Sequence, residues 1–147
     1  MGGRHKSTRF LKRLTRHRTS ENPGFAEIRE KLSQKVQASS GSAGLLSNLA
    51  VVDALLGKKD KAIAEAKRTI EMLPISQDAV GGPAVLKNLA VVYTWTDEPQ
   101  RAFETLRYLT KLPSGVYYGD LKLDPYWDPL RKDPRFEQLL TELAPDD

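Results

Sequence analysis

Three observations on the amino-acid sequence predict an all-helical fold built from antiparallel helix hairpins. The segment Leu46-Ser47-Asn48-Leu49-Ala50-Val51-Val52 recurs forty residues later as Leu86-Lys87-Asn88-Leu89-Ala90-Val91-Val92. Each copy is followed by a break and a second run at helical spacing: Leu56-Gly57, then Ala62, Ala66 and Ile70 in the first; Thr96-Asp97, then Ala102, Leu106 and Leu109 in the second. Each copy ends on a proline, Pro74 or Pro113, whose missing N–H cannot serve a helix interior. A unit that recurs at a fixed period buries its apolar face against its neighbours, so the hairpins are expected to stack.

The elements follow in order. Asn22-Pro23 opens a run with Phe25, Ile28, Leu32 and Val36 at three- and four-residue spacing, ending in Ser39-Ser40-Gly41; this predicts a capping helix near 23–39. Ser42 suits an N-cap, Pro83 a first helical position after Gly81-Gly82, and Asp97 precedes Glu98-Pro99. Central helices are therefore placed near 43–57, 60–73, 84–96 and 98–112. Residues 113–133 contain Gly115, Gly119, Pro125 and Pro129 and read as a loop. Asp133-Pro134 then starts a run with Phe136, Leu139, Leu140 and Leu143, a closing helix near 134–144. The repeats occupy about 43–74 and 83–114 of a helical domain that spans 22–147.

Residue size indicates how each hairpin closes. Two antiparallel helices approach closely where one offers a small side chain to the other's large ones. Ala50 with Ala62, and Ala90 with Ala102, are the small contacts; Leu46, Leu49, Leu86, Leu89 and Tyr93 are the bulky partners.

Charge divides the chain in two. Of its 23 basic residues, Arg4, Lys6, Arg9, Lys12, Arg13, Arg16 and Arg18 lie within residues 1–20, which hold no acid, so the rest sets 16 bases against 19 acids. The net charge of +4 thus belongs to a basic arm, 1–21, attached to a mildly acidic body. Such an arm could neutralise nucleic-acid phosphates or rest on anionic lipid, with Phe10, Leu11 and Leu14 giving only a weak apolar face.

Composition narrows the chemistry. The absence of cysteine excludes disulfides, thiolate zinc sites and a cysteine nucleophile, and fits a reducing cytoplasm. No apolar run approaches the roughly 18 residues that span a bilayer. Both histidines, His5 and His17, sit in the arm, so the body lacks the commonest general base. The remaining Ser, Thr, Lys, Asp and Glu form no nucleophile elbow, phosphate loop or spaced metal motif. No enzyme activity, cofactor or metal is expected. The steps Asp124-Pro125, Asp128-Pro129 and Asp133-Pro134 read as turn and helix-start signals, and Tyr117, Tyr118, Tyr126 and Trp127 as packing residues.

Taken together, Leu46, Leu49, Ala50, Gly57, Ala62, Ala66 and Pro74, repeated as Leu86, Leu89, Ala90, Tyr93, Ala102, Leu106 and Pro113, resemble the tetratricopeptide repeat. The run Leu123-Asp124-Pro125-Tyr126-Trp127-Asp128-Pro129-Leu130-Arg131-Lys132-Asp133-Pro134-Arg135-Phe136 looks like the closing segment of tetratricopeptide tails in large bacterial signalling proteins. The resemblance covers roughly 22–147 and implies a right-handed superhelix of antiparallel helix hairpins that serves as a scaffold or adaptor. The spacing of forty residues departs from the family's thirty-four or so and implies a longer loop over 74–82. Arrays of this kind generally need about three units, which leaves a role for self-association.

In that family the first helix of each pair lines a concave groove, and its sixth position carries an asparagine that binds peptide backbone or a terminal carboxylate. Asn48 and Asn88 match that position and Lys87 stands beside it. An amide offers both donor and acceptor to an extended peptide. Val51, Leu55, Val91 and Trp95 are the expected floor of a peptide-binding groove. The other reading of the same residues is that the asparagines tie neighbouring helices together and the valines are ordinary core.

Overall fold

The computed structural model describes residues 23–39, 41–73, 78 and 81–146, and within them the chain is all helical. The elements are α1 (Pro23–Ala38), α2 (Ala43–Leu55), α3 (Lys59–Met72), α4 (Gly81–Trp95), α5 (Pro99–Leu109), α6 (Tyr118–Leu123), a 3-10 helix (Pro125–Leu130) and α7 (Pro134–Leu143). The basic arm, Pro74 and most of the 74–82 connection lie outside the described residues.

Helices α2 and α4 are apolar on nearly every side, which suits only a helix surrounded by others. In α2, Leu46, Leu49, Ala50, Val51, Val52, Ala54 and Leu55 are all buried; in α4, Val85, Leu89, Ala90, Val91, Val92 and Tyr93 are. Accordingly α2 packs against α1, α3 and α4, while α4 packs against α2, α3, α5 and the 3-10 helix. Helices α3 and α5 bury one stripe each, Ala62, Ala66 and Thr69 in the first and Ala102, Phe103, Leu106 and Leu109 in the second, and cover the inner pair. The four alanines expected at the closest approaches, Ala50, Ala62, Ala90 and Ala102, are fully buried.

The two hairpins close through matching backbone bonds forty residues apart. Leu56 N donates to Val52 O, Lys58 N to Asp53 O and Ala62 N to Lys58 O; Thr96 N donates to Val92 O, Glu98 N to Tyr93 O and Ala102 N to Glu98 O. Both turns need a left-handed residue. Gly57 supplies it at φ +80 and Asp97 at φ +58. Lys59 Nζ of the first hairpin lies 3.1 Å from Glu98 Oε1 of the second.

Several boundaries differ from the sequence-based expectation. Ser42 caps α2 as expected, its hydroxyl accepting from Leu45 N. Helix α4, however, begins at Gly81 and not after Pro83, because the Asp78 carboxylate accepts from Gly81 N at 2.7 Å and starts the helix three residues early. In the turn before α5, Glu98 occupies the N-cap position and Asp97 the left-handed one.

The stretch 113–133, expected as loop, contains α6 and the 3-10 helix. Asp124 caps the 3-10 helix by accepting from Tyr126 N, and Asp133 caps α7 by accepting from Arg135 N, so these two Asp-Pro steps are helix starts. Asp128 instead accepts from Arg131 Nε. Arg131 also donates to Leu121 O and Asp124 O, closing the end of α6 with one guanidinium. Trp127 and Tyr126 are buried there, and Tyr117 is exposed.

Candidate functional site

The predicted site residues divide into three groups. Asn48 and Asn88 come together, because α2 and α4 lie side by side and the two amides occupy equivalent positions forty residues apart. Asn88 Nδ2 donates to Ser47 Oγ and, at 3.3 Å, to Asn48 Oδ1. Asn48 and Asn88 are half-buried and Ser47 is buried. Among the described residues, Asn48 Nδ2 and Asn88 Oδ1 have no hydrogen-bond partner, so the pair keeps one donor and one acceptor. Lys87 adjoins Asn88 on α4 and is half-buried.

Val51, Leu55 and Val91 form the second group and lie in the core, 2%, 4% and 1% exposed. They fill the space between helices and offer almost no area to a ligand. Trp95, at the C-terminal end of α4, is intermediate in exposure, and its indole N–H donates to Tyr126 O at 2.9 Å. It braces α4 against the 3-10 helix. The third group, the seven basic residues Arg4, Lys6, Arg9, Lys12, Arg13, Arg16 and Arg18, lies outside the described residues.

One polar cluster was not expected from the sequence. Asp53 is the only charged residue of α2 and is fully buried. Arg29 of α1 reaches it with Nε 2.5 Å from Oδ1. Glu65 of α3 lies against the same carboxylate. Burial first, then the hydrogen bond and charge of Asp53, push Glu65 up to about 7, against the smaller opposing effects of Lys61 and Arg29. Asp53 Oδ2 and both Glu65 carboxyl oxygens are buried and receive no N–H or O–H from other described groups. A proton on Glu65 would supply the donor that Asp53 Oδ2 lacks and leave one Glu65 oxygen without a donor.

The forty-residue offset shows how unusual the cluster is. The residues standing forty positions after Arg29, Asp53 and Glu65 are Thr69, Tyr93 and Thr105. There Thr69 bonds its own helix at Ala66 O, Thr105 bonds Arg101 O, and Arg101 lies over the Tyr93 ring. A signal was present in the sequence: one acid inside the otherwise uncharged helix that starts at Ala43. Its partners are remote in sequence and could not be named from spacing.

Among the described residues, no cluster of three or more His, Cys, Asp and Glu side chains could hold a metal ion. No described helix is long and apolar enough to cross a membrane. Compared with protein-family models, curated proteins and solved structures, the chain matches none.

Proposed function

We propose that the chain is a tetratricopeptide-type scaffold that binds an extended segment of another protein along the edge where α2 meets α4. The observation that carries this reading is the Asn48–Asn88 pair. Two amides at equivalent positions of adjacent helices retain a donor on one and an acceptor on the other. A peptide main chain carries the same alternation of N–H and C=O and could satisfy both. Lys87 beside them would favour a peptide with a nearby carboxylate. With Val51, Leu55 and Val91 committed to the core, affinity would come from these polar anchors and the exposed part of Trp95. The absence of cysteine suits a reducing cytoplasm as the setting.

The test is a displayed random-peptide library panned against the full chain and against Asn88→Ala and Lys87→Ala. Enrichment by the wild type that falls at least about tenfold with Asn88→Ala, at unchanged thermal stability, is the expected result. Equal enrichment by both proteins would assign the amides to tying helices together.

A second reading rests on residues 1–20, whose seven Lys and Arg side chains and no acid could bind nucleic acid. Removing residues 1–20 separates the two: peptide binding should persist, whereas nucleic-acid binding should disappear.

A further inference from the structure

We propose that Arg29, Asp53 and Glu65 form a proton-operated latch, which holds α1 against the α2–α3 hairpin in mildly acidic solution and slackens it in mildly alkaline solution. The geometry comes first. Helix α1 packs on α2, inserting Phe25 into the core and laying Ile28 and Leu32 against it. Its polar hold is the Arg29 to Asp53 pair at 2.5 Å. Asp53 has no solvent exposure, so its charge depends on protein groups alone. Arg29 supplies one counter-charge. It can balance one carboxylate, and the site holds two.

With Glu65 protonated, the cluster contains one cation and one anion, and the acid proton satisfies Asp53. Once Glu65 ionises, two carboxylates share Arg29, and Asp53 Oδ2 and both Glu65 oxygens are buried with no donor. The charged groups that bear on Glu65 oppose one another: Asp53 of α2 raises it, while Lys61 of the same helix and Arg29 of α1 lower it by less, so that burial and Asp53 prevail. Helix α4, which also packs on α3, carries Lys87 as its single charge and Tyr93 as its single other titratable group, and neither shifts Glu65.

The sign is fixed by the direction of the shift. Glu65 ordinarily ionises near 4.5 and is raised to about 7 in the closed cluster. The closed form therefore holds the proton more tightly, and its advantage is full below about pH 4.5 and lost as pH rises toward 7 and above. Residues 23–146 contain no histidine and no cysteine, so Glu65 has no ordinary competitor for titration near neutrality in the helical body.

Amide hydrogen exchange on the full chain tests the latch. After correction for the intrinsic exchange rate, protection of α1 relative to α4 should fall up to about tenfold between pH 6 and pH 8. Glu65→Gln keeps a donor for Asp53 and cannot ionise, so its α1 protection should stay high and flat over that range. Arg29→Gln should leave α1 poorly protected at both pH values while α2 to α5 remain protected. A carboxyl-carbon titration should place the Glu65 midpoint near 7. The latch is overturned by pH-independent α1 protection in the wild type, by the same fall in Glu65→Gln, by full α1 protection in Arg29→Gln, or by a Glu65 midpoint below about 5.

Discussion

Asp97 holds the backbone conformation that Gly57 holds forty residues earlier, φ +58 against φ +80, and each closes its hairpin through the same pattern of backbone hydrogen bonds. The left-handed region crowds a Cβ against the following carbonyl, a cost glycine avoids and aspartate tolerates only moderately. At Gly57 a Cβ would meet nothing within 4 Å, so a substitution there reports the backbone alone. Gly57→Ala should therefore destabilise by about 1 kcal/mol, and Asp97→Gly should be neutral or stabilise by a few tenths, about 0.3 kcal/mol. Urea denaturation midpoints of the two variants check this. A Gly57→Ala midpoint equal to wild type would show that the turn relaxes.

The small contacts between helices make the next prediction. Ala50 and Ala90 are fully buried in α2 and α4, opposite hairpin partners that also present alanines. Phenylalanine at either position must push a helix away or leave its rotamer, at about 1 to 3 kcal/mol. Ala64, exposed on α3, is the control, and Ala64→Phe should stay within about 0.5 kcal/mol of wild type. Equal melting temperatures for Ala50→Phe and Ala64→Phe would show that the α2–α3 interface is looser than close alanine packing requires.

How much of this was legible in the sequence depends on whether the determinant was local or remote. Helices α2 to α5 were readable because the repeated apolar run and the following spacing of alanines and leucines are both local patterns. The start of α4 was misplaced because its cap, Asp78, stands before two glycines that ordinarily signal a turn. Helix α6 and the 3-10 helix leave no such local pattern, because each spans six residues, too few to show a period, and Gly119, Pro125 and Pro129 punctuate the stretch. In the candidate site, Asn48 and Asn88, and Val51, Leu55 and Val91 as a groove floor, are implied by the resemblance to the tetratricopeptide repeat; the three apolar side chains are instead buried between the surrounding helices. The Arg29–Asp53–Glu65 cluster joins three helices through side chains, which no pattern along the chain encodes.

Arg131 shows how the misread stretch is held. Its Nη1 donates to Leu121 O at 3.1 Å, its Nη2 to Asp124 O at 2.8 Å and its Nε to Asp128 Oδ1 at 2.8 Å, with the guanidinium also over the Phe136 ring. The two carbonyls lie at the C-terminal end of α6, and Asp124 O also accepts from Trp127 N at 3.2 Å. A lysine ammonium cannot span three acceptors set in a planar fork. Arg131→Gln should cost about 2 kcal/mol and Arg131→Lys more than half of that. Amide exchange should place the loss in α6 and the 3-10 helix before the rest of the domain. Uniform loosening of α2 to α5 would contradict a local clamp.

Trp127 anchors the same segment from inside, and two opposing effects decide what its replacement does. The side chain is fully buried, so Trp127→Ala should cost about 3 to 5 kcal/mol through lost burial and the cavity left behind. Its indole Nε1 is also buried and has no acceptor among the described residues, a polar group desolvated without return. Phenylalanine removes that N–H along with part of the ring. The relief of an unpaired donor, about 1 to 3 kcal/mol, offsets much of the lost area, so Trp127→Phe should fall within about 1.5 kcal/mol of wild type. Thermal unfolding of both variants at one pH checks the pair. If Trp127→Phe proved nearly as damaging as Trp127→Ala, the indole N–H would have to be bonded in solution, to an ordered water that bridges it to a backbone carbonyl.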